Sequence, residues 1–484
     1  MKLTTFTDDA RLALGTLASR TGGLVSPSLR LGVTGLARSG KTVFLTALVH
    51  NLLHGGRLPL FAPYSEGRLT RARLEPQPDD AVPRFAYEDH VRALVEDRIW
   101  PESTRRIAEL RVTISYESAT LLGRNLGPGR LHLDLVDYPG EWLLDLPLLS
   151  KDYRTWSRES LAEARKTTHR DSAVAWLAAL AEADPSASAS EGTAARLAEA
   201  FTGYLRAVRE EDTTPLAFPP GRFLMPGDLE GSPALTFAPL EPPSGNPGRD
   251  SLFAMMERRY EAYKAHVVRP FFRDHFARLD RQIVLVDVLA ALNAGPEAVR
   301  ALQGSLEEIL GCFRPGRLSW LTRLVDRRVD RLLFAATKAD HVHHTDHDRL
   351  EAILSTLVEA ARTRAGSAGA EVDVAAIAAV RATREGKVRS GLETLPAIIG
   401  TPLPGERVNG TVYDGASEIA LFPGDLPEDP RAVFADRTAG DAAPLAFLRF
   451  RPPHLETSSA GATLSLPHIR LDRVLQFLIG DRLA

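Results

Sequence analysis

Residues 35–42 read Gly35-Leu36-Ala37-Arg38-Ser39-Gly40-Lys41-Thr42, the spacing G-x-x-x-x-G-K-[ST]. Residues of these types at this spacing can bind phosphate. The glycines let the backbone curl so that successive N–H groups point at an anion. A helix opening directly after the loop favours negative charge at its N-terminus. Lys41 offers a cation for β- and γ-phosphates, and Thr42 a hydroxyl for Mg²⁺. The expected contact residues are Gly35, Ala37, Arg38, Ser39, Gly40, Lys41, Thr42 and Val43. The plain alternative is a glycine turn at a helix start. Only seven of the chain's 59 basic residues are lysines, so a lysine at this position carries weight.

Three further stretches belong to the same chemistry. Asp137-Tyr138-Pro139-Gly140 ends an apolar run and fits D-x-x-G. There Asp137 would hold Mg²⁺ through water and the Gly140 N–H would meet the γ-phosphate. Thr337-Lys338-Ala339-Asp340 fits [NT]-K-x-D. A carboxylate at Asp340 can accept from both N1–H and the 2-amino group of guanine, which adenine cannot match. The Lys338 stem would cover the base plane, and Thr337 stands where asparagine is commoner. Val380-Arg381-Ala382-Thr383 sits where the backbone of Ala382 and Thr383 would contact guanine O6, or forms an ordinary loop. Thr104, with Ser103 as rival, precedes a strand and suits a switch hydroxyl on Mg²⁺; a helix cap is the plainer role. Glu141 directly follows Gly140 and can orient the attacking water, although its charge opposes the γ-phosphate. The catalytic set is thus Lys41, Glu141 and Thr104, and the metal set Thr42, Thr104 and Asp137. Arg38 is either a phosphate contact or a solvated loop arginine.

These motifs need strands that end where they begin. Leu29–Thr34, Ile107–Tyr116, Arg130–Asp137, Gln282–Val288, Arg331–Thr337 and Ala375–Ala382 read as strands, and Val43–Leu53, Ala86–Arg98, Pro296–Cys312, Asp348–Thr363 and His468–Ile479 as helices. Residues 55–85 read as a loop, and Ser251–Arg278 as a long helix broken at Pro270. Strands alternating with helices predict an α/β fold, a P-loop NTPase of the GTPase type with a mainly parallel sheet. A helical insertion and a small β-rich C-terminal region complete it. The expected division is 1–28, an N-terminal helix and linker; 29–142, the first part of the nucleotide domain; 143–279, the helical insertion; 280–400, the second part; and 401–484, the β-rich region with its terminal helix.

The 484 residues are 44% hydrophobic and 25% charged, which excludes wholesale disorder. The formal net charge of -3 disfavours a nucleic-acid-coating role. One cysteine, Cys312, fits a reducing compartment, and no apolar run of 18 residues suggests a membrane span. No secretory signal is evident at the N-terminus. The arginine-rich run 314–331 reads either as a helix on anionic lipid, peripheral at the inner membrane, or as a helix docked on the sheet with snorkelling arginines. His341, His343, His344 and His347 read as a metal or pH-sensing cluster or as a solvated face.

The chain resembles the YcjX-like stress-protein family of P-loop GTPases. The resemblance rests on GLARSGKTVFLTALVHNLL (35–53), WPEST (100–104), DLVDYPGEWLLDLPLL (134–149), RPFFRDHFARLDRQIVLVDVLAALNAG (269–295), DRLLFAATKADHV (330–342) and EIALFPGDLPEDP (418–430). It implies GTP and GDP binding with Mg²⁺, GTPase activity, a helical insertion and stress or envelope associations. It leaves the protein partner unnamed. The expected function is GTP hydrolysis in a cytoplasmic, stress-linked switch, slow without a partner. The rivals are a nucleotide-sensing scaffold with negligible turnover and an ATPase or P-loop kinase.

Overall fold

The computed structural model describes residues 27–36, 38–102, 104, 106–120, 128–166, 170–210, 219–311, 329–390, 393–408, 410–435, 445–455 and 465–484. Most of the N-terminal segment 1–28, Ala37, Ser103, Cys312 and most of the run 314–331 lie outside the described residues.

The strands are β1 (Ser28–Gly35), β2 (Leu69–Glu75), β3 (Ala108–Tyr116), β4 (Gly129–Asp137), β5 (Arg281–Val286), β6 (Arg331–Ala336) and β7 (Glu371–Ala376). They form one sheet in the order β2-β3-β4-β1-β5-β6-β7. From β4 to β7 every pairing is parallel, and β2 and β3 extend the sheet antiparallel. The pairings Val33 to Asp137 and Gly35 to Leu285 bring the C-terminal ends of β1, β4 and β5 to one edge. The expected α/β P-loop architecture is therefore the observed one.

Strands buried on both faces read as unbroken apolar runs. In β5, Ile283 and Leu285 face one core while Val284 and Val286 face the other. The first core holds α1 (Lys41–Leu53) and α9 (Leu471–Ile479). The second holds α7 (Pro296–Gly311) and α8 (His347–Leu357). The terminal helix α9 is thus part of the sheet's own core. Leu471, Val474, Leu475, Leu478 and Ile479 pack there beside Leu45, Leu48 and Leu52 of α1. Asn51 ties the entry to this helix: its amide donates to Leu466 O at 3.1 Å and accepts from Leu466 N–H at 3.0 Å. Fully buried Arg281 donates to Leu478 O at 2.5 Å and pairs with Asp330 at 2.8 Å.

Between β4 and β5 the chain builds α2 (Tyr153–Ala164), α3 (Arg170–Ala181), α4 (Glu191–Glu210), α5 (Leu252–Tyr263) and α6 (Arg269–Asp274). These helices bury a separate, aromatic-rich core. Trp156 stacks on Tyr260 with centroids 4.9 Å apart, and Trp176 on Tyr204 at 5.0 Å. Asp152 and Ser251 cap their helices by accepting from Thr155 N–H and Ala254 N–H at 2.8 and 3.2 Å. A second, three-stranded sheet contains β8 (Arg384–Ser390), β9 (Glu393–Gly400) and the short strand Ile419–Leu421.

Three sequence expectations need correction. Residues 55–85 include β2, an edge strand whose polar Thr70, Arg71, Arg73 and Glu75 hide its pattern. The strand expected at Ala375–Ala382 spans Glu371–Ala376; the apolar residues beyond it are a buried loop, with Ala378 N–H bonded to Ile469 O at 3.1 Å. The long helix is not broken at Pro270. It widens into a π-turn over Lys264–Val268, which gives the proline ring room against the preceding turn and absorbs its missing N–H. No helix among the described residues is long and apolar enough to cross a membrane.

Because α9 completes the sheet's core, Leu478→Ala is expected to destabilise the chain by roughly 2–5 kcal/mol. Exposed Val412→Ala should stay within about 0.5 kcal/mol. Chemical denaturation midpoints of the two variants check this.

Candidate functional site

At the edge where β1, β4, β6 and β7 end, one cavity opens. Arg38–Phe44 line one end, and Thr337, Lys338, Asp340 and His341 the other. Gly140, Glu141 and Thr104 close it from the β4 side, and Ile377–Val380 from the β7 side. The ends of a parallel sheet at a crossover point are where open α/β folds place ligands.

The loop into α1 is held by sterics. A Cβ on Gly35 would lie 2.6 Å from Leu285 O and 2.4 Å from Ser39 Oγ. Arg38 and Gly40 both adopt left-handed backbone, with φ of 62° and 86°. Such a left-handed turn makes a concave nest of N–H groups. Gly40 precedes α1 without a side-chain cap, so the first-turn N–H groups keep no such partner. Gly140 passes hard against this loop: a Cβ there would meet Gly35 O at 2.3 Å and Lys41 Nζ at 2.7 Å.

Lys41 is buried and donates to Gly35 O at 2.9 Å and Leu36 O at 3.2 Å. Burial pulls its pKa down, and the charges of Asp137 and Glu141 pull it back up. Thr42 Oγ1 lies 3.2 Å from Thr104 Oγ1, and Thr104 donates to Asp137 Oδ2. Two hydroxyls and a carboxylate therefore form one line at the loop. Asp137 Oδ1 and Ser39 Oγ are buried without a hydrogen-bond partner among the described residues. Burial pushes the Asp137 carboxyl up to about 6, against the pull of Lys41 and Thr104.

At the far end, Asp340 Oδ2 accepts from Ala382 N–H at 2.8 Å, and the Thr383 hydroxyl donates to the Asp340 carbonyl. Ala382 thus fixes the Asp340 carboxylate and Thr383 its main chain, while Ile377–Val380 form the cavity wall. Lys338 is left-handed at φ 62° and its ammonium pairs with Asp287. Thr337 N–H donates to Val286 O at 2.9 Å. Gly35 and Asp137 lie behind the lining.

Several lining residues were not foreseen: Trp100, Leu403, Arg449 and Phe450. Trp100 Nε1 donates to Phe450 O at 2.6 Å, and His341 meets the Phe450 ring edge-on at 5.4 Å. Leu403, Arg449 and Phe450 come from more than 60 residues beyond Asp340, so no local motif marks them; Trp100 had a local signal in WPEST. The histidine run is not one solvated face. His341 and His347 are buried, with His347 Nε2 2.9 Å from Ala339 O, while His344 Nδ1 meets Glu385 at 2.8 Å.

After Gly140 the chain runs as a buried 3₁₀ segment, Gly140–Ser150, against the helical block. Glu141 is 2% exposed, and its Oε1 accepts from Arg209 Nη2 of α4 at 2.5 Å. Asp145 accepts from Gly221 N–H at 2.7 Å and from Tyr263 OH at 2.8 Å. Burial pushes the Asp145 carboxyl up to about 6. A carboxyl raised above its unfolded value binds its proton more tightly when folded. Its contribution to stability therefore falls as pH rises from about 4 to about 6 and stays low above that. Asp145→Asn is expected to remove this dependence. Its stability should gain on that of the native chain between pH 4 and pH 7, by on the order of 1–3 kcal/mol. Thermal melts across that range check it.

The chain matches the family described as the YcjX-like family, DUF463, over residues 29–483. It is 38% identical over 472 residues to a protein of Escherichia coli (strain K12) named Ras-like GTPase YcjX, covering 95% of this chain and 97% of that one. It is 35% identical over 475 residues to a protein of the same name from Shewanella oneidensis, covering 94% of each. Both the matched span, from β1 to the end of α9, and the identity across it lead to one conclusion: the chain belongs to the YcjX-like family.

Proposed function

We propose that the cavity binds GTP and GDP with Mg²⁺ and that the chain hydrolyses GTP to GDP and phosphate. The observation that carries this reading is the convergence of Arg38–Thr42, Gly140 and Asp340 on one cavity at the strand ends. The relatives' name, Ras-like GTPase, points the same way.

The loop N–H groups, with Ser39 and Lys41, take the phosphates, and Arg38 stands at their edge. The unpartnered Oδ1 of Asp137 and the Thr42 and Thr104 hydroxyls suit a hard, oxygen-seeking cation. When bound, Mg²⁺ would neutralise charge on the β- and γ-oxygens. Gly140 brings its N–H to the γ-phosphate side. Asp340, fixed by Ala382 and Thr383, accepts from the guanine edge. Thr337 and Lys338 shape that end, with Val43 beneath.

In the reaction, water oxygen bonds to the γ-phosphorus as the bond to the β–γ bridging oxygen breaks, and that electron pair leaves on GDP. The proton the water gives up ends on the released phosphate, and Glu141 orients the water by accepting a hydrogen bond from it. Its own charge opposes the γ-phosphate, so turnover is slow without a partner. A stress-linked switch role belongs to the family resemblance, whereas a cytoplasmic site rests on the single cysteine, Cys312, and contact with the inner membrane on the arginine-rich run 314–331.

Purified protein is expected to release phosphate from GTP and to lose this roughly 10²–10³-fold in Lys41→Ala. Asp340→Asn should cut the preference for GTP over ATP by about 10–100-fold, the worth of a charged hydrogen bond. Equal turnover of GTP and ATP by the native chain would count against the base site. GTP binding without phosphate release would leave a sensing scaffold.

A further inference from the structure

In the proposed reaction Glu141 orients the water, yet a buried carboxylate is costly unless it is paired. The helical block supplies the pairing. Arg209 of α4 donates to Glu141 Oε1 at 2.5 Å, from a residue 68 positions further along the chain. Glu141 is 3% exposed at the side chain and Arg209 30%, so the pair is largely shielded from water on the carboxylate side. The helical block also fixes the Glu141 main chain. A Cβ on Gly221 would lie 1.7 Å from Glu141 O, which makes the backbones of the two segments contact directly. The next residue is held as well: the Trp142 indole donates to Met225 O at 2.9 Å, and the Arg222 guanidinium lies 3.1 Å over the Trp142 ring.

Charge makes the pairing more than packing. Glu141 lines the cavity together with Lys41, and its carboxylate pairs with Arg209 of the helical block. Once phosphates claim Lys41, Arg209 remains as the counter-charge. Without it, a bare carboxylate would face the γ-phosphate.

We propose that Arg209 is a positioning residue for GTP hydrolysis: it holds and charge-balances Glu141, so that the helical block completes the hydrolytic site. This rests on the proposed GTPase reading. The step itself is unchanged, with Arg209 touching Glu141 rather than the reacting atoms.

The test is single-turnover and steady-state GTP hydrolysis by the full chain, with GDP affinity and thermal midpoint measured on every variant. Arg209→Ala is expected to lower kcat at least 10-fold with GDP affinity within 3-fold, and Arg209→Lys to recover part of the loss. In a Glu141→Gln background, Arg209→Ala should have no further effect on kcat, because the charge it balances is gone. A merely structural role predicts the opposite: equal losses in both backgrounds and a matching fall in nucleotide affinity. An active native chain with Arg209→Ala as fast as native, or faster, overturns this inference alone. A native chain that binds GTP but releases no phosphate overturns the hydrolytic reading, and this inference with it.

Discussion

The backbone of Gly140 runs against the phosphate-type loop with no room for a side chain. That close approach is what the rest of the site depends on. It joins the ends of β1 and β4, seats Lys41 between them and brings Asp137, Thr104 and Thr42 into one line. The sheet makes it possible, because the parallel pairing of Val33 with Asp137 sets how far each strand extends before its loop begins. Among the described residues the arrangement leaves buried polar atoms without partners at Asp137 and Ser39. Unmade hydrogen bonds of this kind cost about 1–3 kcal/mol each, and a ligand that satisfies them returns that energy as affinity. Sites of function are where such local violations are expected.

Around this centre the chain is used three ways. The sheet supplies the loops, and the terminal helix completes its core. The segment following β9 contributes Leu403, Arg449 and Phe450 to the far wall of the cavity. The helical block grips the segment after Gly140 through Glu141, Trp142 and Asp145. A change in the position of Gly140 would therefore be felt by α4 and by the aromatic core behind it. Two discrete arrangements of packed elements are the physical basis of a switch.

Much of the fold and of the site was legible in the sequence. Motifs at strand ends are local, and each carries its own strand, turn and helix signals. Hence Arg38–Thr42, Gly140, Thr337, Lys338 and Asp340 line one cavity, as their chemistry suggested. Ala382 and Thr383 were expected at guanine O6; the structure places them against Asp340, with the Ala382 N–H on its carboxylate and the Thr383 hydroxyl on its main-chain carbonyl. What local patterns could not reveal were pairings across long separations. Arg209 looks like any helix-surface arginine until Glu141 is seen beside it. Phe450 and Arg449 sit in a Pro- and Gly-rich stretch with no periodicity. The strand β2 hides because an edge strand lined with arginine has the polarity of a loop, and the loop 377–380 reads as strand because burial makes it apolar.

The central claim is that this cavity is a guanine-nucleotide site, with Asp340 selecting the base. Titration calorimetry of the full chain with GDP and with ADP, both in Mg²⁺, tests it most directly. A buried carboxylate that pairs with one base and is left unpaired by the other predicts GDP binding at least roughly 100-fold tighter than ADP. Equal affinities, or no heat with either nucleotide, would contradict the account.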